Sequence, residues 1–303
     1  MSETDASHFH DAEAARKHLE AIRWPDGPVC PHCGTVGAAY GTSRPGLYRC
    51  ASAGCRMDFS VTVGTVFERS HVPLHKWFLA VYWLCSSKKG CSAHQLHRML
   101  GVTYKTAWFM AHRIREAMKD GGAGMLGGPL KTVQVDETYF GTKDEYRGKS
   151  WPEKKGLSKK MAVLSLVEPG GRSRTFHVDR ADMATIRDIL KRNVRTWSVL
   201  HTDESRLYIE PGKDFTAHRT VNHGGGEYVR GDVTTNNVEN FFSVFKRGMR
   251  GVYQHCSEKH LQRYLTEFDF RYNNRAALGV TDSVRMTRAL VGIEGKRLMY
   301  GGN

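Results

Sequence analysis

Four cysteines within 26 residues place the tightest constraint on this chain: Cys30, Cys33, Cys50 and Cys55. They are spaced C-x2-C, then sixteen residues, then C-x4-C. Each short Cys-to-Cys turn presents two thiolates from one knuckle, and two knuckles complete the tetrahedron that zinc prefers. Pro31 and Gly34 flank the first pair and Gly54 the second, as tight turns require. Gly46–Arg49 and Phe59–Val63 read as short strands beside them. The predicted module is a zinc ribbon, too small to fold without its metal. Four thiolates leave no open coordination position, so this zinc is structural, not catalytic. Two disulfides are the competing reading, and the acidic, helix-like N-terminal segment, which lacks an apolar signal stretch, argues against them. His32 reads as a loop residue, and the scattered Cys85, Cys91 and Cys256 as small buried hydrophobes.

With 303 residues, 40% of them hydrophobic, the chain has room for about two domains and a substantial core. Its longest apolar run, Trp77–Cys85, covers nine residues, against the ~20 that a membrane-spanning helix needs. A soluble, intracellular protein is expected. Lys and Arg number 45 against 31 acids, a net +14. Residues 51–120 carry ten basic and four acidic residues, and 241–303 carry eleven and five, whereas 201–240 reverse to four and seven. Two basic stretches around an acidic one suit a protein that holds a polyanion and performs metal chemistry on it. A merely solvated basic surface has the same composition.

After the ribbon, the pattern predicts three helices. Pro73 opens the first, Ser92 caps a short second that ends at Leu100 and Gly101, and Thr103 caps a third. In the third helix Ala107, Met110, Ala111, Ile114, Ala117 and Met118 recur at core spacing. Lys105, Trp108, His112, Arg115 and Lys119 share the other face. A short helix, a glycine turn and a basic second helix make a helix-turn-helix, whose free face suits a major groove. The alternative is a helical connector with an ordinary solvated face.

Residues 121–128 (GGAGMLGG) hold five glycines and read as a flexible joint. Strand-like segments follow at 131–140, 161–168, 174–178 and 197–202, with a helix at 182–194. Between the first two strands, residues 141–160 carry seven basic and three acidic residues, which suits a loop lying on a phosphate backbone. Three acids stand out by position. Asp136 is read as ending the first strand, Asp203 as following the fourth, and Glu239 as lying in the first turn of a helix from Val238 to about Met249. Thirty-five residues lie between Asp203 and Glu239. Clustered carboxylates repel one another unless cations occupy them, and hard oxygen ligands select Mg²⁺ or Mn²⁺ over zinc. Lys246, seven residues beyond Glu239, sits on the same flank of the helix, beside a buried stripe of Val238, Phe241, Phe242, Phe245 and Met249. Each acid also has a plainer reading. Glu239 could close a capping box with Asn236. Asp136 and Asp203 could be strand-end turn residues, each beside a glutamate (Glu137, Glu204) that points to the opposite face.

Taken together, the CPHCG and C-x4-C ribbon, VDETYFG at 135–141, HTDES at 201–205 and the long segment TTNNVENFFSVFKRGMRGVYQHCSEKHLQRYLTEFDFRYNNR at 234–275 carry a resemblance. The chain resembles bacterial insertion-sequence transposases of the DDE superfamily, and within it the zinc-ribbon IS1595, or ISXO2-like, group. The likeness spans roughly residues 20–280. It implies an α/β chain: an RNase H-like catalytic domain, a mixed sheet flanked by helices, preceded by a zinc ribbon and a helix-turn-helix. The implied boundaries are an N-terminal helical segment 1–25, ribbon 26–68, helix-turn-helix 69–120, linker 121–129 and catalytic domain 130–295. The family's acids map onto Asp136, Asp203 and Glu239, and its following basic residue onto Lys246. Some members carry Asn for the third acid, and Asn236, Asn237 and Asn240 surround Glu239 here. The implied cofactors are two Mg²⁺ or Mn²⁺ ions about 4 Å apart at the acids, plus one zinc on Cys30, Cys33, Cys50 and Cys55. The implied reaction is hydrolysis at an element end, followed by attack of the freed 3′-OH on target DNA. Lys246 would hold a phosphate, with Arg247 on the DNA beside it, and His218, Arg219, His223 and His255 as weaker phosphate candidates. Ribbon and helix-turn-helix would read terminal inverted repeats in double-stranded DNA. Cutting two ends implies a homodimer or higher oligomer, in the cytoplasm on the nucleoid.

Two rivals share these features: a non-catalytic DNA-binding regulator, and a structure-selective nuclease using the same metal site without strand transfer. Three acids at plausible positions argue against the first. A tyrosine recombinase is disfavoured, because Arg271, Tyr272 and Arg275 form no convincing nucleophile site.

Overall fold

A computed structural model describes residues 3–119, 124–227 and 229–298, without the side chains of residues 152 and 154. The chain divides into two units: residues 1–119 together with 280–303, and residues 120–279.

The first unit opens with α1 (Ala12–Arg23), where Asp11 Oδ1 accepts the Ala14 N–H at 2.7 Å and so caps the helix. Three short antiparallel strands follow, β1 (Ala39–Gly41), β2 (Tyr48–Cys50) and β3 (Asp58–Phe59). Their apolar support includes Trp24 set edge-on against Tyr48 and Phe59, in a sheet of only eight strand residues. So small a core needs a metal to hold it. β1 was not foreseen. The strand expected over Phe59–Val63 ends at Phe59, because the chain then curls, with Val63 N–H donating to Ser60 O at 3.1 Å. The helices α2 (Leu74–Ser86), α3 (Ala93–Leu100) and α4 (Tyr104–Ala117) start where the sequence places them. Ser92 Oγ accepts the Gln95 N–H and Thr103 Oγ1 the Thr106 N–H, each at 3.1 Å. Gly101, at φ 61°, takes the left-handed turn between α3 and α4. That is a helix-turn-helix.

The second unit is a three-layer α/β sandwich. Its strands are β4 (Thr132–Phe140), β5 (Met161–Val167), β6 (Ser173–Val178), β7 (Val199–Thr202) and β8 (Ala217–Thr220). They lie in the order β6-β5-β4-β7-β8. β5 runs antiparallel to both β4 and β6, while β7 and β8 run parallel to β4. This is the mixed RNase H-like sheet. The turn at Trp151–Lys154 (α5) interrupts the basic loop after β4, and α6 (Met183–Asn193) crosses from β6 to β7. A short α7 (Ile209–Gly212), the hairpin of β9 (Val229–Arg230) and β10 (Val233–Thr234), then α8 (Asn236–Gly248) and α9 (Glu258–Asn273) complete the unit.

Strand alternation sorts the core into two. Val133, Val135, Leu164 and Leu166 meet Ile186, Leu190 and Val194 of the α6 layer. Met161, Val163 and Val167 meet Phe241, Phe242 and Phe245 of α8 and Leu265 and Phe268 of α9. All seven residues of β5 are buried, as a strand covered on both faces must be.

Two expected boundaries change. Of the expected flexible joint, residues 121–123 lie outside the described residues, and the rest is fastened. Leu126 is buried, its N–H donates to Asn193 O at 2.7 Å, and its carbonyl accepts the Arg195 N–H at 2.9 Å. Gly127 serves fit, since at φ +74° a Cβ there would stand 2.0 Å from Ser198 Oγ. The expected catalytic domain also loses its C-terminal end. The helix α10 (Asp282–Val291) packs with α1, α2 and α4 in the first unit. Arg285 Nη1 donates to the last turn of α2, at Cys85 O, over 2.8 Å. Gly292 passes so close to α4 that a Cβ would lie 2.3 Å from Ala117 O.

Candidate active site and metal centre

β4 and β7 run side by side in parallel, with Gln134 paired to His201. Two residues further along, β4 reaches Asp136, at mid-strand and not at the strand's end as expected, because pairing with β5 continues to Phe140, whereas β7 has run out just before Asp203. Asp136 lies opposite Ser165 and so faces the α8 layer, on the same side as Val163 and Val167. Glu137 faces the other way, and its carboxylate accepts the hydroxyl of the buried Tyr208 from the α6 layer. The next acidic pair is sorted by hydrogen bonding. Glu204 is consumed by the turn at 223–225, accepting the His223 and Gly224 N–H groups at 2.9 Å each. Its own backbone N–H, together with those of Gly224 and His223, holds its carboxyl below the usual range. Asp203 accepts its own turn's Ser205 N–H, at 3.1 Å.

Burial, then the neighbouring charges of Glu137, Asp203 and Glu239, pushes the Asp136 carboxyl up to about 8. Burial also raises Asp203, helped by Glu204 and Glu239. The charge of Glu239 thus acts on both Asp136 and Asp203, which marks a shared electrostatic site in which charge is costly without a cation. Glu239 does not close a capping box. The α8 N-cap is Thr235, and Glu239 Oε1 accepts from the Thr235 hydroxyl at 2.6 Å. His223 Nε2 lies 3.0 Å from Thr235 Oγ1 and 3.5 Å from Glu239 Oε1.

Lys246 is half-buried on α8. Burial, Arg250 and Lys160 lower its ammonium from the ordinary lysine range, while Asp136 pulls the other way. The sequence reading missed Lys160 and Arg250, though both fall in basic segments. Arg247 is exposed and donates to Ser243 O at 3.2 Å. Three of the weaker phosphate candidates are occupied: His218 Nε2 lies 2.8 Å from Thr202 Oγ1, Arg219 pairs with Asp232 at 2.8 Å, and His223 meets Thr235. His255 is exposed.

In the first unit the four cysteine sulfurs all lie within 4.8 Å of one another. Cys30 and Cys55 stand 3.7 Å apart, Cys33 and Cys50 3.6 Å. A tetrahedron with Zn–S bonds of about 2.3 Å has sulfur–sulfur edges of roughly 3.8 Å. These thiols are free, and the separations are far beyond a disulfide bond. The cluster fits one structural zinc. Among the described residues it is the only such close group, so the three carboxylates form a wider, open set of hard oxygen donors.

The proposed groove-reading face of α4 needs correction. Lys105 and Lys119 are exposed and Trp108 half-buried, but His112 and Arg115 are 0% and 2% exposed. Every residue from Met110 to Met118 is buried. With α2, α3 and α10 all packed on α4, the helix has no two-faced pattern left to present from Met110 onward. Arg113 shows how its cations are kept inside: the guanidinium lies over Phe109 and Trp77 and donates to Glu68 O at 2.7 Å.

A model of the ISXO2-like transposase domain matches residues 125–273, and one of the transposase zinc-ribbon domain matches residues 10–58. A relative described as an uncharacterized protein in transposable element ISH50 of Halobacterium salinarum is 34% identical over 282 residues, 87% of this chain and 91% of the relative. The chain belongs to the ISXO2-like transposase family. The zinc-ribbon match to this transposase takes in α1, and the transposase-domain match stops at the end of α9, short of α10. A solved simian T-cell lymphotropic virus intasome, in complex with PP2A regulatory subunit B56 gamma, is 14% identical at a TM-score of 0.30, over 58% of this chain and 63% of that one. A likeness that low carries no argument about the transposase. No helix among its described residues is long and apolar enough to cross a membrane.

Proposed function

We propose that this transposase cuts DNA at the ends of its element and joins the freed 3′ ends to target DNA, using Asp136, Asp203 and Glu239 as ligands for Mg²⁺ or Mn²⁺. The observation that carries this reading is the convergence of three carboxylates, Asp136 and Asp203 from adjacent parallel strands and Glu239 from α8, with the charges of Asp203 and Glu239 both acting on the buried Asp136. Their cost in isolation fits a site built to hold cations. When bound there, divalent cations supply a water of lowered pKa and counter-charge for the leaving 3′ oxygen.

The chain's own groups do the rest. Lys246 sets an ammonium within reach of the Asp136 charge, suited to a non-bridging phosphate oxygen. Lys160 and Arg250 gather beside it, so three like charges share a neighbourhood that an incoming phosphate backbone relieves. Arg247 extends the basic surface. Lys105 and Lys119, with the half-buried Trp108, remain groove or backbone contacts on the helix-turn-helix, which with the zinc-bound ribbon recognises element ends. Paired cutting of two ends calls for at least a dimer on DNA.

The deciding experiment is cleavage of labelled duplex carrying the element's ends, with Mg²⁺ or Mn²⁺, for the parent and Asp203→Ala. The expected outcome is nicking at the end junction plus joined products, both lost in Asp203→Ala while end binding persists. Nicking without joined products would make the chain a nuclease. Equal binding with no cutting under either metal would make it a DNA-binding regulator.

A further inference from the structure

A third carboxylate carried on a different element from the first two has to be held in register with them. We propose that Glu204, His223 and Thr235 form a hydrogen-bonded strut that positions Glu239 against Asp203, leaving its second oxygen free for a divalent cation. This inference rests on the cation-binding reading of Asp136, Asp203 and Glu239.

The strut is continuous. Glu204 follows Asp203 directly, and its two oxygens grip the His223 and Gly224 N–H groups at 2.9 Å. That fixes the turn His223–Gly225. From this turn the His223 ring reaches Thr235 Oγ1 at 3.0 Å, and the buried Thr235 hydroxyl reaches Glu239 Oε1 at 2.6 Å. Thr235 has one proton to give, and a carboxylate can only accept. The hydroxyl therefore donates to Glu239 and accepts from His223, which fixes the proton of the ring on Nε2. Such charge-assisted links are the strong ones, and here they occupy one Glu239 oxygen.

The same helix turn is tied from the other strand. Gln134, fully buried two residues before Asp136, accepts the Asn237 and Val238 N–H groups at 2.9 and 3.2 Å through Oε1. It satisfies the helix start that Thr235, its hydroxyl already committed, does not cap. Both acid-bearing strands thus reach the first turn of α8, and the glutamate beside Asp203 acquires a purpose.

Glu204, His223 and Thr235 are positioning residues, and the test reads cation binding on the free protein. The probe is Mn²⁺ alone, titrated into zinc-loaded full-length chain and followed by electron paramagnetic resonance, with Asp136→Asn defining the site. Thr235→Val keeps the shape and removes the hydroxyl, whereas Thr235→Ser keeps the hydroxyl. The expected result is Mn²⁺ binding about tenfold weaker in Thr235→Val and His223→Ala, parent-like affinity in Thr235→Ser, and folded melts for all. Equal affinity in Thr235→Val and the parent overturns the strut, as does a parent with no Mn²⁺ binding sensitive to Asp136→Asn. A parent that binds Mn²⁺ but cuts no DNA instead overturns the proposed function and leaves the strut standing.

Discussion

Asp136 carries the electrostatic strain of this molecule. In water a carboxyl of its kind loses its proton near pH 4. In the folded chain, burial and three acidic neighbours move that loss to about 8. Between these values the native state holds a proton that the unfolded chain has released, so stability falls as pH rises through the window. Asp136→Asn is neutral at every pH and escapes that loss. Without added Mg²⁺ or Mn²⁺, the variant should melt on the order of 5 °C above the parent at pH 8 and level with it near pH 4. Added Mg²⁺ should raise the parent's melting temperature and leave the variant's unchanged. Calorimetric melts across pH check both, and a variant that melts below the parent at pH 8 would contradict the assignment. A residue that burdens the fold in this way is thus one of the three proposed cation ligands.

At the scale of elements, α9 does more than cover the sheet. β6 is an edge strand, with a row of backbone groups open to another chain's strand. One stripe of α9 fills that row. Gln262, Asp269 and Asn273 accept the N–H groups of His177, Thr175 and Ser173 at 2.8, 2.8 and 2.6 Å. Gln262 and Asn273 also donate to Thr175 O and Ser173 O at 3.0 Å each. Amides and a carboxylate stand in for a sixth strand. Asp269 additionally takes the Ser173 and Thr175 hydroxyls at 2.7 and 2.8 Å, and burial still pushes its carboxyl up to about 6. Asp269→Ala leaves buried donors unmet and should cost about 3 kcal/mol, measured by urea unfolding, with aggregation of the freed edge. A loss below about 0.5 kcal/mol, the size expected of an ordinary surface change, would show the edge to be solvated instead.

Over the whole molecule, the chain finishes in the unit where it began. α10 and Gly292 close on α2 and α4, which makes residues 280–298 part of the helical unit's core. A chain ending at Gly279 should keep the melting transition of the sheet unit and lose that of the helical unit. Hydrogen exchange should show protection surviving in β4 and β5 and vanishing from α2 and α4. Equal protection of α2 and α4 in both chains would show that α10 is dispensable. The same closure explains why α4 cannot serve as an open recognition helix along its whole length. His112 and Arg115 have helical spacing suited to a groove, yet they are buried.

The sequence by itself settled what local chemistry settles. Cysteine spacing made the ribbon, Ser92, Gly101 and Thr103 bounded the paired helices, and apolar runs located β4 to β7 within a residue or two. It also singled out Asp203 and Glu239 as candidates, because each falls at an element end, whereas Asp136 lies in mid-strand. Alternation by two says that Asp136 and Glu137 face opposite ways but not which layer each meets, and that needed α8 and Tyr208 in place. Asp203 and Glu204 were separable only once the turn at His223 had claimed one of them. The strut, the filled edge of β6 and the return of α10 join residues 12 to 200 positions apart. No period or propensity carries such pairings, because their geometry exists only after the layers have packed.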